Sequence, residues 1–196
     1  TGHTGPITEA VFTKKSKSIL TASADSTIRL WNVSTGVVEK IYVGHLDGVN
    51  DISISPDNNY FVSASGDGNV LMWEIESEEL VGIFDQHKGS VNAVSYSPSG
   101  NYVLSAGQDG TVKKWDASTA EELLDFKLHS SPVNAVAVSP NGLMAVSGSD
   151  NGFVYVWDIY TGEVKHVLLG HDKPVSSVFI SADSKYIITG SAERNP

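Results

Sequence analysis

The sequence contains no cysteine and comparatively few basic residues. Without cysteine there is no disulfide framework, no thiolate-ligated zinc site and no thiol nucleophile. The 13 lysine and arginine residues are outnumbered by 23 acidic residues, which gives a formal charge of −10 at neutral pH. Affinity for nucleic acids rests largely on cationic side chains that release counterions from phosphates. The charge balance therefore argues against a nucleic-acid partner.

Long apolar runs are also missing. No stretch approaches the roughly 20 residues that a membrane helix needs, and the amino terminus lacks the pattern of a signal peptide. We therefore expect no association with membranes and an intracellular, cytoplasmic protein. The chain opens with threonine instead of methionine, so we expect that residues were removed upstream. Of the 196 residues 40% are apolar, enough to bury a core in one or two domains.

The strongest positive signal is a repeat of 42 residues, shared by all four tryptophans and by five of the six histidines. The tryptophans are Trp31, Trp73, Trp115 and Trp157, and the histidines are His3, His45, His87, His129 and His171. Residues 1–196 divide into the complete units 1–42, 43–84, 85–126 and 127–168 and a partial fifth unit, 169–196. A fixed period of about 20–50 residues is typical of repeat architectures.

Each unit has the pattern of four short β-strands. In the third unit, the segments 91–97, 101–106, 111–115 and 121–128 are rich in β-formers or alternate in polarity, and turn residues separate them. Four such strands form an antiparallel meander that cannot cover both of its own faces. Copies must stack, either radially as a propeller or linearly as a solenoid. The predicted fold class is all-β.

The first strand of each unit departs from simple alternation. Its apolar residues are spaced by three and then by two, as in Val49, Ile52 and Ile54. Because a regular strand alternates with a period of two, either both faces of this strand are buried or a β-bulge resets the register. We predict a bulge near Asn50, Asn92 and Asn134.

Each unit also repeats a hydroxyl and an acidic residue between its histidine and its tryptophan. The sets are His3, Thr21, Asp25 and Trp31; His45, Ser63, Asp67 and Trp73; His87, Ser105, Asp109 and Trp115; His129, Ser147, Asn151 and Trp157; and His171, Thr189 and Glu193. A hydroxyl can accept the indole N–H and donate to a histidine nitrogen, and a carboxylate can accept the other ring N–H. We predict a closed chain of hydrogen bonds that pins strand, turn and loop together.

Serine, histidine and aspartate within reach of one another also suit a hydrolase triad. Catalysis needs one preorganised nucleophile with an oxyanion hole, and five copies at fixed spacing are not typical of it. We therefore interpret the sets as structural and expect no enzyme, no catalytic residue, no metal site and no cofactor. His166 lies outside the pattern and has no neighbour at metal-ligand spacing.

These features resemble the WD-repeat β-propeller family. The resemblance rests on Gly-His pairs such as Gly44-His45, on the segments SADSTIRLWN, SGDGNVLMWE, GQDGTVKKWD and SDNGFVYVWD, and on the Trp-Asp pairs at Trp115 and Trp157. It implies a β-propeller of four-stranded antiparallel blades, with four complete blades and two strands of a fifth. Such a segment belongs to a larger propeller or to one closed by oligomerisation.

Two residues depart from the repeat, and we make a separate prediction for each. Asn151 stands where the turn acid belongs and Asp150 precedes it, so the fourth polar set is either weaker or rescued by Asp150. Lys114 stands where the other units have Leu30, Met72 and Val156. We expect its stem to pack and its ammonium group to reach solvent.

The resemblance implies that partners dock where the first strand of each blade begins and where the middle turn lies. The residues flanking the first apolar position are Pro6, Thr8, Gly48, Asn50, Ser90, Asn92, Pro132, Asn134, Pro174 and Ser176, and those before the turn acid are Ala24, Gly66, Gln108, Asp150 and Ala192. Among them, the candidate contact residues are Thr8, Asn50, Asn92, Gln108, Asn134, Asp150 and Ser176. The asparagines either bind the backbone of an extended peptide or cap the predicted bulges. Asp150 is the only charged residue of the set, which mildly favours a basic peptide segment.

The sequence therefore predicts a non-catalytic scaffold that presents loops to protein or peptide partners. Two alternatives stay open. The chain is a partial propeller that self-associates to complete its ring, or it is the non-catalytic propeller domain of a larger enzyme or regulatory protein.

Overall fold

The computed structural model describes residues 2–14 and 17–193. All regular elements in these ranges are β-strands, which form four four-stranded antiparallel sheets and one two-stranded sheet. We call these sheets blades 1 to 5, in chain order. In each complete blade, strands that follow one another in sequence are neighbours in the sheet, so each is a simple meander. This confirms the predicted all-β propeller architecture.

The strands coincide with the predicted segments to within two residues. Blade 1 contains β1 (Ile7–Phe12), β2 (Ser18–Ser23), β3 (Thr27–Asn32) and β4 (Val38–Val43). Blade 2 contains β5 (Val49–Ile54), β6 (Tyr60–Ser65), β7 (Val70–Glu74) and β8 (Leu80–Phe84). Blade 3 contains β9 (Val91–Tyr96), β10 (Tyr102–Gly107), β11 (Val112–Asp116) and β12 (Glu122–Phe126). Blade 4 contains β13 (Val133–Val138), β14 (Met144–Ser149), β15 (Val154–Asp158) and β16 (Val164–Leu168), and blade 5 contains β17 (Val175–Ile180) and β18 (Ile187–Ser191).

A β-bulge interrupts the pairing of the first two strands in every blade. The register shifts by one residue, so that a single residue of the first strand has no partner in the ladder. That residue is Thr8, Asn50, Asn92, Asn134 or Ser176. The predicted bulges are therefore confirmed. They account for apolar spacings of three and then two, because the extra residue returns the following side chains to the buried face.

The core lies between the blades. Each hydrophobic cluster combines residues from successive sheets, as where Tyr42 of blade 1 packs edge-on against Phe61 of blade 2 with 4.8 Å between ring centroids. The Tyr42 hydroxyl donates to the carbonyl of Ile75 at 2.8 Å, so the polar end of this buried ring is also satisfied. Trp115 and Trp157 are 1% and 0% exposed. Stacking of neighbouring sheets thus supplies the burial that one sheet lacks.

The blades form an open arc. The first strands of successive blades contact one another from β1 through β5, β9 and β13 to β17. The described sheets are not joined into a closed ring. At the two ends of the arc, apolar side chains face solvent, with Phe12 57% exposed in blade 1 and Ile188 65% exposed in blade 5.

Lys114 is more enclosed than the sequence predicts. Its stem packs as expected, but the whole residue is only 8% exposed. The ammonium nitrogen lies 4.6 Å from the ring centroid of Tyr102 and 5.0 Å from that of Tyr160. The expectation of an ammonium group directed into solvent is therefore wrong. Two aromatic rings, one from each of two neighbouring blades, face the cation instead.

Candidate functional site

The repeated polar set closes into the predicted chain in blades 1 to 3. The indole N–H of Trp31, Trp73 or Trp115 donates to the hydroxyl ten residues earlier at 2.7, 2.9 and 2.8 Å. That hydroxyl lies 2.7, 2.8 and 2.7 Å from Nε2 of the blade's histidine. The histidine Nδ1 lies 3.0, 2.9 and 3.0 Å from the turn aspartate. The prediction of a closed hydrogen-bonded chain is confirmed in these three blades.

The turn aspartate also orders the loop between blades. In blade 2, Asp67 accepts the backbone N–H of Leu46 at 2.9 Å and that of Asn69 at 2.9 Å. Burial opposes ionisation of this carboxyl, but the hydrogen bonds that it accepts hold its pKa below the usual value. Burial lowers the pKa of His45 despite the neighbouring carboxylate. A neutral histidine therefore donates from Nδ1 to a charged aspartate at neutral pH.

The serine hydroxyls of the polar sets in blades 2 and 3 are buried inside the protein. Ser63 and Ser105 are both 0% exposed, and each accepts an indole N–H while it contacts a histidine. A hydrolase nucleophile must reach a substrate carbonyl and have an oxyanion hole beside it. A hydroxyl sealed between a tryptophan and a histidine cannot meet that requirement, so the geometry favours the structural interpretation of the set.

Blade 4 has an incomplete chain. His129 Nε2 lies 2.7 Å from the Ser147 hydroxyl, but Nδ1 is buried and has no hydrogen-bond partner. Asn151 accepts from the hydroxyl of Ser149 at 2.7 Å instead. Burial lowers the pKa of His129 to about 4, because no carboxylate stabilises its charged form. The expected weakness of this set is confirmed.

Asp150 does not rescue the blade 4 set. Its carboxylate accepts from the Asn134 side chain at 3.4 Å, and the imidazole of His129 packs edge-on against Tyr155 with 4.6 Å between centroids. The expectation of a rescue by Asp150 is therefore wrong. Asp150 lies one residue too early in the turn and is exposed on the surface. In blade 5, His171 contacts both Thr189 and Glu193, as the repeat predicts.

The candidate contact residues lie at one end of the blades, which we call the upper face. It consists of the loops between blades and the turns between the second and third strands. The bulge residues occupy this face, and in three cases their side chains donate to the next blade. Thr8 donates to the Val49 carbonyl at 2.6 Å, Asn50 to Val91 at 2.8 Å and Asn92 to Val133 at 3.0 Å.

Further hydrogen bonds join several of these residues into one row, which we call the upper-face amide chain. Asn50 donates to the Ser90 hydroxyl at 3.1 Å, and Ser90 donates to Asn92 at 3.1 Å. Asn92 then donates to Asn134 at 3.4 Å, and Asn134 to Asp150 at 3.4 Å. The row therefore crosses blades 2 to 4 and ends in an exposed carboxylate.

Three candidate residues lie apart from the amide chain, and one of them is Thr8 in blade 1, whose hydroxyl donates to the Val49 carbonyl. The side chain of Gln108 is exposed in the turn of blade 3, where its backbone N–H donates to the Ser90 carbonyl at 2.8 Å. Ser176 donates to the Gly190 carbonyl within its own blade at 3.3 Å. The structure thus brings together the central candidates on blades 2 to 4 and leaves Ser176 at the edge.

Sequence reasoning missed the residue that follows each histidine. These exposed upper-face residues are Thr4, Leu46, Lys88, Ser130 and Asp172. Leu46 is 90% exposed, although its backbone N–H is held by the turn aspartate. These residues always follow the repeat histidine by one position, but their side chains differ in type, so no shared residue type marked the position. In four of the five blades the backbone N–H of this residue donates to the turn acid, while the exposed side chain differs from blade to blade.

Among residues 2–14 and 17–193, no helix has the length and apolarity to cross a bilayer.

The sequence model of the WD40 family, described as "WD domain, G-beta repeat", matches five stretches of the chain: residues 1–32, 36–74, 78–116, 120–158 and 162–195. The chain is 42% identical over 53 residues to the "Lissencephaly-1 homolog" of Caenorhabditis briggsae, which is 27% of this chain and 14% of that protein. It is 48% identical over 42 residues to the "Nuclear distribution protein PAC1" of Coccidioides posadasii (strain C735), or 21% of this chain and 9% of that protein. The matched segments thus span a small part of both curated relatives.

Proposed function

Because the chain belongs to the WD40 repeat family, we propose that it is a non-catalytic scaffold whose upper face binds an extended peptide with a basic residue. The upper-face amide chain carries this proposal. The N–H groups of Asn50 and Asn92 donate within the protein, but their amide oxygens keep acceptor capacity for the N–H groups of a peptide. The row crosses three blades and ends in the exposed carboxylate of Asp150. Peptides are commonly bound through main-chain hydrogen bonds together with a few specific side-chain contacts.

The rigidity of the upper face supports this function. In blades 1 to 3 the closed polar sets hold the interblade loops through backbone N–H groups, as where Lys88 donates to Asp109 at 2.9 Å. A preorganised face loses less conformational entropy when a partner binds than a mobile one does. The exposed Leu46 adds an apolar contact beside the polar row. We therefore propose that Leu46 supplies the main apolar contact and that Asp150 selects the basic residue of the peptide.

Asp150 gives the basic preference. Its carboxylate accepts one long hydrogen bond, from Asn134, and so retains acceptor capacity for a guanidinium or ammonium group. A single exposed ion pair contributes only about 0.2–1 kcal/mol, so the charge selects among peptides more than it drives binding.

A peptide library that varies one position at a time would test this proposal by fluorescence anisotropy. We expect the protein to enrich peptides with one lysine or arginine, and Asp150→Asn to lose that preference. Asp183→Asn is the matched control, because Asp183 is an exposed acid in a turn at the opposite end of blade 5. If Asp150→Asn retained the basic preference, the assignment of the upper face would be wrong.

The exposed apolar ends of the arc favour a second candidate function, the completion of a ring by further blades or by another copy. Ile7 and Phe12 on blade 1 and Phe179, Tyr186 and Ile188 on blade 5 are each more than half exposed. Such faces are usually covered in the functional assembly. Light scattering of the purified chain would test self-association, and a monodisperse monomer at high concentration would contradict it.

A further inference from the structure

A large cleft lies between blades 2 and 3, on the face opposite the upper face. We call this the lower face; it carries the turns that join the first to the second strand and the third to the fourth strand. The cleft has a volume of about 820 Å³. Met72, Val81 and Tyr96 contribute to its lining, and the Tyr96 hydroxyl lies 3.6 Å from the Met72 sulfur. The lining is thus partly apolar, and the flexible, polarizable Met72 side chain lets it accommodate an aliphatic chain.

Two carboxylates also line this cleft, Asp57 from blade 2 and Asp116 from blade 3. A hydrogen bond from the Ser55 hydroxyl to Asp57, at 2.6 Å, holds the pKa of that carboxyl below its usual value. The Ser118 hydroxyl donates to Asp116, also at 2.6 Å, and holds the pKa of that carboxyl below its usual value. Both groups are therefore ionised at neutral pH. An apolar cleft with two negative charges is complementary to an aliphatic chain that ends in a cation.

The next boundary along the chain contains such a cation. Lys114 stands one repeat after Met72, and Tyr102 one repeat after Tyr60, which lines the cleft. Between blades 3 and 4 the Lys114 ammonium lies over the rings of Tyr102 and Tyr160, at 4.6 and 5.0 Å. Between blades 2 and 3 the position of this lysine is held by the uncharged Met72, so that boundary lacks the cation.

The preceding boundary also holds lysines. The cleft between blades 1 and 2 has a volume of about 380 Å³ and is lined in part by Lys40, whose ammonium lies 3.6 Å from the Glu76 carboxylate. Lys14 donates to the Pro56 carbonyl at 3.2 Å across the same boundary. One repeat later these two lysines are replaced by Gly82 and Pro56. The boundary between blades 2 and 3 thus has no lysine at any of the three repeat positions at which one of its neighbours has one.

We propose that the cleft between blades 2 and 3 binds a lysine side chain from a partner protein. The methylene stem packs on Met72 and Val81, and the ammonium group pairs with Asp57 and Asp116 and faces the ring of Tyr60. Each neighbouring boundary holds a lysine of the chain itself, Lys40 beside the Glu76 carboxylate in one and Lys114 over two tyrosine rings in the other. This site is on the face opposite the upper-face amide chain, so the two proposals stand or fall separately.

Methionine-methyl NMR of the whole chain provides a direct test, because the sequence has only two methionines, Met72 and Met144. Met72 lines the cleft and Met144 lies in blade 4. The probe is Nα-acetyl-lysine amide, and its neutral match carries an additional acetyl group on Nε. We expect the lysine probe to shift the Met72 methyl signal saturably, the Met144 signal to stay in place, and the neutral probe to have little effect.

Charge-neutral variants separate binding from folding, because the repeats already contain the replacement. Asn141 makes the turn contacts of Asp57 two blades away, and Asn32 makes those of Asp116. The double variant Asp57→Asn with Asp116→Asn should keep the fold and bind the lysine probe at least about fivefold more weakly, as expected for two exposed ion pairs. Met72→Lys, which introduces the residue type found at position 114, should abolish binding as read from the Val81 methyl signals.

Three results would overturn the proposal. The first is an equal Met72 shift with the neutral probe, since the cleft would then recognise only apolar groups. The second is no saturable Met72 shift with the lysine probe. The third is a Met72 signal that moves with protein concentration in the absence of a probe, because the occupant would then be a second copy of this chain.

Discussion

Asn151 accepts a hydrogen bond from the Ser149 hydroxyl at 2.7 Å and leaves Nδ1 of His129 without a partner. In blades 1 to 3 an aspartate at the same repeat position binds the histidine. One substitution of an amide for a carboxylate therefore removes the bond between the turn and the histidine in blade 4, although the Asn151 backbone N–H still donates to the Ser131 hydroxyl at 3.3 Å. A buried polar atom without a hydrogen bond costs free energy, so the polar set of blade 4 stabilises its blade less than the sets of blades 1 to 3 do.

Asn151→Asp should repair this defect. A carboxylate at residue 151 can accept the His129 Nδ1 proton and the loop N–H, as Asp67 does in blade 2. We expect the free energy of unfolding to rise by about 1 kcal/mol in urea denaturation, the scale of a hydrogen bond to a charged group after solvent screening. Asn141→Asp, in a lower-face turn, is the control. An unchanged stability for Asn151→Asp would mean that the turn cannot reach His129.

Trp73→Phe should destabilise the protein more than Trp31→Phe. Both changes remove an indole N–H donor, but Trp73 is 2% exposed whereas Trp31 is only partly buried at the end of the arc. We expect a loss of about 1–3 kcal/mol at Trp73, since the Ser63 hydroxyl loses a partner inside the core. Thermal and urea unfolding would measure both losses. Equal losses would contradict the prediction and indicate that the greater exposure of Trp31 does not reduce the contribution of its indole.

Stability should fall in mildly acidic solution because of His129. The pKa of this residue is lowered to about 4 by burial, whereas a histidine in the unfolded chain has a pKa of about 6.5. Between these values the unfolded chain binds more protons than the folded protein, so acid favours unfolding. We expect a loss of about 1–2 kcal/mol between pH 6.5 and about pH 4.5, with allowance for partial exposure. His129→Gln should flatten this part of the pH profile, and an identical profile would contradict the assignment.

Asp51 should make the protein less stable as the pH rises, whereas His129 makes it less stable as the pH falls. Burial raises its pKa to about 7, although its carboxylate accepts the Val94 N–H at 2.8 Å across the boundary of blades 2 and 3. The folded protein then holds a proton that the unfolded chain releases at about pH 3.9, so this group costs stability as pH rises toward 7. Asp51→Asn keeps an acceptor for Val94 without the charge. We expect it to stabilise the protein more at pH 8 than at pH 5, by about 1 kcal/mol.

Asp47→Asn is the matched control for Asp51→Asn, because Asp47 lies on the exposed loop of the same blade. Its effect on the free energy of unfolding should be small, because the side chain faces solvent. If Asp51→Asn behaved in the same way, its carboxylate would be hydrated in the folded protein.

The period made the fold predictable. Tryptophans at a constant spacing defined the blades, and the irregular step from Val49 to Ile52 located the bulges. The chain alone could not reveal that Asn92 reaches the Val133 carbonyl, because that contact depends on how two sheets are placed side by side. The position of Lys114 between two tyrosine rings could not be predicted for the same reason. Tyr102 and Tyr160 belong to different blades, and only the stacking of the blades brings their rings to Lys114.

Side chains at the bulges reach the next blade, so the stability of each blade depends on its nearest neighbours along the arc. Thr8, Asn50 and Asn92 each couple a sheet to the next one along the chain, through contacts about 41 residues apart in sequence. In such an array the interior units are held from two sides and the terminal units from one. Amide exchange with solvent should therefore be slowest in blades 2 and 3 and should quicken toward both ends of the arc. The missing hydrogen bond of His129 makes the decline steeper on the carboxyl-terminal side, so that the protein opens from blade 5 inward through blade 4.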